Sequence, residues 1–470
     1  MLEVNSRLTE RQGRNFGIAK FFVRVQSALR YVRSPGGMSL SSSTTALGLG
    51  TRRRIARRLL PFLFTLFVIA FLDRVNVSYA ALEMTHDLSF SNRVFGFGSG
   101  IFFAGYLLFE IPGCLIVERW SARKWFARIM VTWGLVTVLM AFIRTPMHFY
   151  AVRILLGICE SGFFPGILVY LTHWFRAEDR AKACAMFMIA IPVANIVGSP
   201  LGGWLLGVRW FGLQGWRWLF IMEGIPAIVF GVITVFYLTD WPREARWLAP
   251  EEREWITAEL EKEALAKKMA HSYRIWEALR QPAVIRLTFI YFFAVSSIYS
   301  LTIWLPTFLK RASGMSDLSV TMLSILPYVA VLLAMIFNGW HSDRTGERRW
   351  HTAIPLMLGA AAFALTILSG SHFWFAFVCL TVASSANAFL PSFWPVPSAF
   401  LGESAAAASI GLINSIGNLG SLVTPSVIGY FLDRTHSFAP GFLYVILSLL
   451  IAIYLILTLR MRPAERALQA

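Results

Sequence analysis

The chain is a succession of long apolar runs broken by short polar ones. A bilayer core takes roughly 20 apolar residues per helix. Twelve runs come close to that length, at about 59–81, 95–117, 126–143, 148–171, 182–206, 217–238, 284–308, 318–340, 352–369, 373–394, 405–431 and 439–459. They predict an all-α membrane protein with twelve transmembrane helices. A charged stretch from Asp240 to Pro282 separates the first six from the last six, and its centre (EEREWITAELEKEALAKK) reads as a soluble, partly helical linker. The predicted organisation is a basic segment 1–58, a six-helix bundle 59–239, the linker 240–282, a second six-helix bundle 283–460 and a short tail 461–470.

Composition points the same way. Of 470 residues, 56% are hydrophobic and 15% charged, against about 25% charged in an ordinary soluble domain. A soluble enzyme, a nucleic-acid binder or a disordered chain is a poor reading of such a chain. The net charge of +17 would suit nucleic acid, but its placement argues otherwise. With both termini in the cytoplasm, 33 of the 43 Lys and Arg fall in the N-terminal segment, the loops after even-numbered spans and the tail. That is the positive-inside bias, so anionic lipid headgroups are the expected partner and nucleic acid is not.

The first 50 residues are basic and partly Ser-rich, with no apolar core before a cleavage-type site, so no signal peptide is expected. Residues 16–32 read equally as an amphipathic surface helix or as part of an untranslated leader preceding a true start at Met38. The four cysteines, Cys114, Cys159, Cys184 and Cys379, lie singly in apolar stretches, which predicts neither a disulfide nor a metal site.

Two inner loops repeat at an offset of 225 residues, from 118 to 343. Glu118-Arg119 matches Asp343-Arg344, Arg123-Lys124 matches Arg348-Arg349, and Ser121 stands where the second copy has Gly346. Each follows the second span of its half. Duplicated halves imply a transporter with its site between them. The carboxylate of each loop is expected to accept from basic groups and a helix N-terminus, forming a cytoplasmic latch, with Gly346 permitting the turn.

The second copy, Gly339-x3-Asp343-Arg344-x-Gly346-x-Arg348-Arg349, resembles the signature loop of the major facilitator superfamily; in the first, Cys114 and Ser121 replace the two glycines. Phe71-Leu-Asp73-Arg74-Val-Asn76, Gly105-Tyr106-x3-Glu110-x-Pro112 and Arg153-x3-Gly157-x2-Glu160-x-Gly162-Phe-Phe-Pro165-Gly166 extend the likeness. So do Gly198-x-Pro200-x-Gly202, Trp218-x-Phe220-x2-Glu223-Gly224-x-Pro226, Trp304-Leu-Pro306 and Asn414-Ser-Ile-Gly417-Asn418-x-Gly420. Together, from about Arg52 to Arg462, they resemble the anion:cation symporter branch. The resemblance implies the major facilitator fold in a bacterial inner membrane. It also implies proton-linked uptake of organic anions such as sugar acids, dicarboxylates and aromatic acids.

Six charges fall inside apolar spans: Asp73, Arg74, Glu110, Arg153, Glu160 and Glu223. Each costs at least about 2.5–3.5 kcal/mol at mid-membrane, so each is expected to face a partner or a cavity. Arg153 and Glu160 share one helix face about 10 Å apart axially, and Gly157 between them is expected to leave that face open to a bound molecule. Arg74 is read as facing the cavity with Arg153 near it, two guanidiniums forming a carboxylate clamp; the resemblance assigns both an anion-binding role. The alternative is that each Arg pairs with a carboxylate to hold helices together. All eight His lie in loops or at span ends, so carboxylates inherit proton coupling. Asp73 and Glu160 are the candidates, and the resemblance associates both positions with that role. Glu110 and Glu223, beside Pro112 and Pro226, are expected to cap backbone groups freed by proline kinks.

Tyr106, Tyr299, Trp394, Asn414 and Asn418 are candidates for the cavity lining, with the two Asn one turn apart on one face. No phosphate loop, GxSxG or HExxH occurs, so neither ATP-driven transport nor catalysis is expected, and no cofactor is implied. The expected protein is a monomeric secondary transporter for a small organic anion and protons. A uniporter or exchanger on the same scaffold, or a transporter-like anion sensor, is the alternative.

Overall fold

The fold is a computed structural model that describes residues 42–269, 281–397 and 403–459. Residues 16–32, Met38 and the tail 461–470 lie outside the described residues. Among the described residues there is no strand, and nine helices are long and apolar enough to cross a membrane.

The first half runs α1 (Ser42–Asp87), α2 (Asn92–Arg119), α3 (Ala122–Met140), α4 (Pro146–Glu160), α5 (Phe163–Trp174), α6 (Ala177–Leu206) and α7 (Gly215–Tyr237). A charged helix, α8 (Pro250–Met269), follows. The second half runs α9 (Pro282–Ser313), α10 (Asp317–Leu323), α11 (Ile325–Thr345), α12 (Arg349–Leu368), α13 (Phe373–Ser384), a 3-10 turn at Ser385–Phe389 that leads into α14 (Leu390–Phe393), then α15 (Glu403–Gly417), α16 (Leu419–Thr435) and α17 (Ala439–Leu457). The expected spans at 95–117, 126–143 and 405–431 are not among the nine, but all three stretches are helical in α2, α3 and α15–α16.

Local chemistry sets these ends. Ser91, Ser121, Thr145 and Ser316 each accept a backbone N–H in the first turn of α2, α3, α4 and α10. Gly346 ends α11 at φ 69°, left-handed backbone that suits glycine. The expected fourth span is broken: α4 ends at Glu160, Gly162 turns at φ 80°, and α5 begins at Phe163. Glu160 therefore sits at a helix terminus within the candidate span Pro146–Trp174, the kind of discontinuity that lines transporter sites.

The halves meet along two seams. On one, α2 packs on α16 so closely that a Cβ on Gly96 would lie 2.2 Å from the Pro425 carbonyl oxygen. At its end the Asp433 carboxylate accepts the backbone N–H groups of Asn92 (3.0 Å) and Arg93 (2.8 Å) and the Asn92 amide (2.6 Å). On the other, α6 packs on α10 and α11.

Candidate substrate cavity

Between these seams lies a cavity of about 940 Å³, its mouth included. Arg74, Tyr106, Tyr299, Trp394, Asn414 and Asn418 all line it. Arg74 is the sole charged lining residue among those described. Its Nε donates to Glu160 Oε1 at 2.5 Å, while Glu160 Oε2 has no partner. The rings of Phe71, Phe102 and Tyr106 surround the guanidinium with centroids 5.1–5.8 Å from its carbon, a cation–π setting that suits a planar, weakly hydrated cation.

Arg153 is placed differently from the expected clamp. It is 2% exposed, does not line the cavity, and donates to the Gly98 (3.3 Å) and Ser99 (3.0 Å) carbonyl oxygens of α2. Gly157 is likewise not an open face: a Cβ there would lie 2.1 Å from the Phe102 carbonyl oxygen, and one on Gly105 would lie 2.3 Å from that of Ile154. The two glycines let the backbones of α2 and α4 touch, which leaves no room between them for a ligand.

Asp73 points away from the cavity. Its carboxylate accepts the Trp133 indole N–H and, at 3.1 Å, the Asn76 amide. Adjacent helical residues diverge by about 100°, so Asp73 and Arg74 point in different directions from α1. Glu223 is buried beside Asn76 and Asp73 with Oε2 unpartnered. Glu110 does not cap its own helix as expected. It reaches across to the second half, where Asn414 Nδ2 (2.5 Å) and Ser415 Oγ (2.6 Å) donate to its two oxygens.

Around the cavity, Tyr299 meets Phe103 edge-on at 4.7 Å, and Trp394 lies against Tyr291 at 4.9 Å. Asn418 marks the joint between α15 and α16. Three further lining residues, Asn195, Tyr328 and Asn387, were not singled out in the sequence. The signal was there for the two amides: each falls inside an expected span (182–206 and 373–394) and must find a partner, as Asn414 and Asn418 must.

The repeated loops are built differently from each other. Asp343 pairs with Arg348 at 2.7 Å, but the N-terminus of α12 is capped by Glu347 instead, which accepts the backbone N–H of Trp350 (2.8 Å) and His351 (3.2 Å). Burial raises the Glu347 carboxyl, and those N–H groups with the His351 ring outweigh it and hold it below the usual carboxylate range. Arg344 and Arg349 lie over the rings of Trp340 and Trp350. In the first copy Ser121 donates to Asp240 at 2.7 Å, and Arg123 reaches the same carboxylate through its backbone N–H (2.9 Å) and Nε (3.5 Å). The side chains of Glu118 and Arg119 lie outside the described residues.

A two-half helical membrane protein enclosing a central cavity, with a cation in its wall, has the architecture of a membrane transporter. The comparisons give the family: residues 63–425 match the model of the Major Facilitator Superfamily, and the chain belongs to it. It is an integral membrane transporter and not an enzyme. It is 45% identical over 400 residues to a "Putative tartrate transporter" of Agrobacterium vitis, covering 85% of this chain and 92% of that one. It is 38% identical to the "Putative metabolite transport protein NicT" of Pseudomonas putida, covering 81% and 88%. Among solved structures, an inward-facing, occupied bacterial homologue of the human lysosomal transporter Spinster superposes with TM-score 0.66 at 16% identity, covering 85% and 95%. The partially occluded inward-open xylose transporter XylE of E. coli gives 0.65, also at 16%, covering 86% and 97%.

Proposed function

We propose that the protein takes up a small organic anion with protons across a bacterial inner membrane, the two bundles (59–239 and 283–460) rocking about the cavity. The observation that carries this reading is Arg74: one permanently charged fork in an otherwise uncharged wall, held by a carboxylate at its back. A ligand carboxylate suits that fork. Relatives named as tartrate and as galactarate/D-glucarate transporters favour an organic acid as cargo.

Proton coupling rests on Glu160 and Asp73. Glu160 has one oxygen on Arg74 and one free, so a proton has a place to sit when an incoming carboxylate competes for the guanidinium. Arg153, held by the Gly98 and Ser99 carbonyl oxygens of α2, adds a second positive charge that acts on Glu160. Both termini and the linker 240–282 face the cytoplasm in this reading, and the repeated loops, through Asp343–Arg348 and Asp240–Ser121, latch that side. In proteoliposomes an inward proton gradient should drive accumulation of labelled tartrate or a sugar acid, and Arg74→Ala should abolish it. Equal uptake with and without the gradient would leave an exchanger or uniporter instead. A periplasm-active reporter fused after Lys262 should be silent.

A further inference from the structure

Three side chains in the cavity wall carry a buried polar atom without a well-formed hydrogen bond. Asn195 on α6 is 3% exposed, and its Nδ2 donates to the Ile191 carbonyl oxygen at 2.9 Å. That bond fixes the amide's orientation, because a carbonyl oxygen accepts only, and it leaves Oδ1 as the group without a partner. Asn387, in the 3-10 turn after α13, also has an unpartnered Oδ1. Tyr328 on α11 is buried, and its hydroxyl lies near that of Tyr79 without a hydrogen bond of ordinary geometry. All three line the same cavity as Arg74, but they stand on α6, α11 and the 3-10 turn, none of which carries that cation.

We infer that Asn195, Tyr328 and Asn387 form a second subsite that reads hydroxyl groups on the cargo, so that the carrier selects hydroxylated carboxylic acids over deoxy or aromatic ones. The inference rests on the organic-anion reading above and narrows it. Buried polar atoms without partners are rare in folded proteins. Where several converge on a ligand cavity, the ligand is the natural partner. Two of the three are amide oxygens, which take hydrogens and repel further acceptors. A hydroxyl supplies such a hydrogen; a methylene or a ring edge does not. A bare apolar chain or ring here would bury both oxygens unpaired, which is how a site built for a substrate hydroxyl rejects the analogue lacking it.

The test compares two six-carbon acids that share one carboxylate, pentahydroxyhexanoate and hexanoate, by calorimetry on purified protein in nanodiscs. The wild type should bind the hydroxylated acid at least about tenfold more tightly. Asn195→Leu and Asn387→Leu should each weaken that acid by about tenfold or more and leave hexanoate binding as tight as in the wild type or tighter, since the oxygen that an apolar chain strands is gone. Hexanoate binding also reports that the variant is folded. Tyr328→Phe removes a single oxygen and is expected to weaken only the hydroxylated acid. Equal wild-type affinity for the pair, or parallel losses on both acids in the variants, would overturn the subsite while Arg74→Ala still abolished binding. Binding of neither acid nor tartrate, or binding indifferent to Arg74→Ala, would overturn the organic-anion reading and the subsite with it.

Discussion

Glu110 on α2 and Asn414 on α15 are 304 residues apart in the chain and joined by a 2.5 Å hydrogen bond between the two halves. With Ser415 on its other oxygen, Glu110 has both acceptors filled and is 2% exposed. A carboxylate in this position holds the halves together, and it does so beside the cavity, since Asn414 is part of the wall.

Removing it should leave two buried donors without partners. Glu110→Ala is therefore expected to destabilise by about 1–3 kcal/mol. Asn414→Ala should cost less once Glu110 is already gone. The check is a double-mutant cycle on reversible unfolding in detergent, with a coupling of at least about 0.5 kcal/mol expected for groups in direct contact. Simple additivity would mean that the bridge contributes nothing.

Backbone contact between α2 and α4 sets a second expectation. Gly157→Ala places a methyl against the Phe102 carbonyl, an overpacking expected to cost about 1–3 kcal/mol and to lower the melting temperature. Gly411→Ala on α15 meets nothing within 4 Å and should stabilise by up to about 1 kcal/mol through helix propensity. A thermal-shift comparison of the two variants separates a packing effect from a general intolerance of change.

Asp433 supplies a third. Burial would raise its carboxyl, but the N–H of Arg93 and the side chain and N–H of Asn92 outweigh it and hold it below the usual range. A depressed carboxyl stabilises the seam above its ordinary pKa, and that contribution is lost as pH falls through the lower folded value. The Asp433 contribution should thus be flat around neutrality and fade only below about pH 4. At pH 7, Asp433→Asn should loosen the α2–α16 seam. In a cysteine-free background with Tyr299→Cys, a membrane-impermeant thiol reagent added from the Asp433 side should then label several-fold faster. Unchanged labelling would show that the seam is held by packing alone.

What was legible in the sequence follows from what the sequence encodes locally. A charge in an apolar run is conspicuous wherever its partner lies, so Arg74, Glu160 and Asp73 stood out and do form buried networks. The turn at Gly346 was legible because left-handed backbone selects a residue type. Pairings between halves have no characteristic spacing, so nothing beside Glu110 announced Asn414, and the nearby Pro112 suggested a local role instead. Arg153 went astray for a related reason: its partners are backbone carbonyls of another helix, to which any sequence contributes alike. A glycine on a helix face signals close approach but not by what, and at Gly157 the approaching group is backbone rather than ligand.

The last expectation separates binding from coupling at the Arg74–Glu160 pair. Arg74→Lys should rescue binding only in part, because an ammonium cannot offer the guanidinium's planar fork to a carboxylate. Glu160→Gln keeps the shape of the protonated side chain and cannot release a proton. If Glu160 must shed its proton before the empty carrier resets, this variant should lose proton-driven accumulation. It should still exchange labelled for unlabelled anion, since exchange requires only the loaded carrier to reorient. Asp73→Asn tests the second carboxylate, whose bonds to Trp133 and Asn76 an amide reproduces incompletely, so its stability must be followed alongside. Counterflow and gradient-driven uptake measured on the same proteoliposomes distinguish the outcomes. Full pH-dependent accumulation in both carboxylate variants would make Glu160 a structural counter-ion of Arg74 and Asp73 a structural acceptor for Trp133 and Asn76, and would remove both from the coupling step.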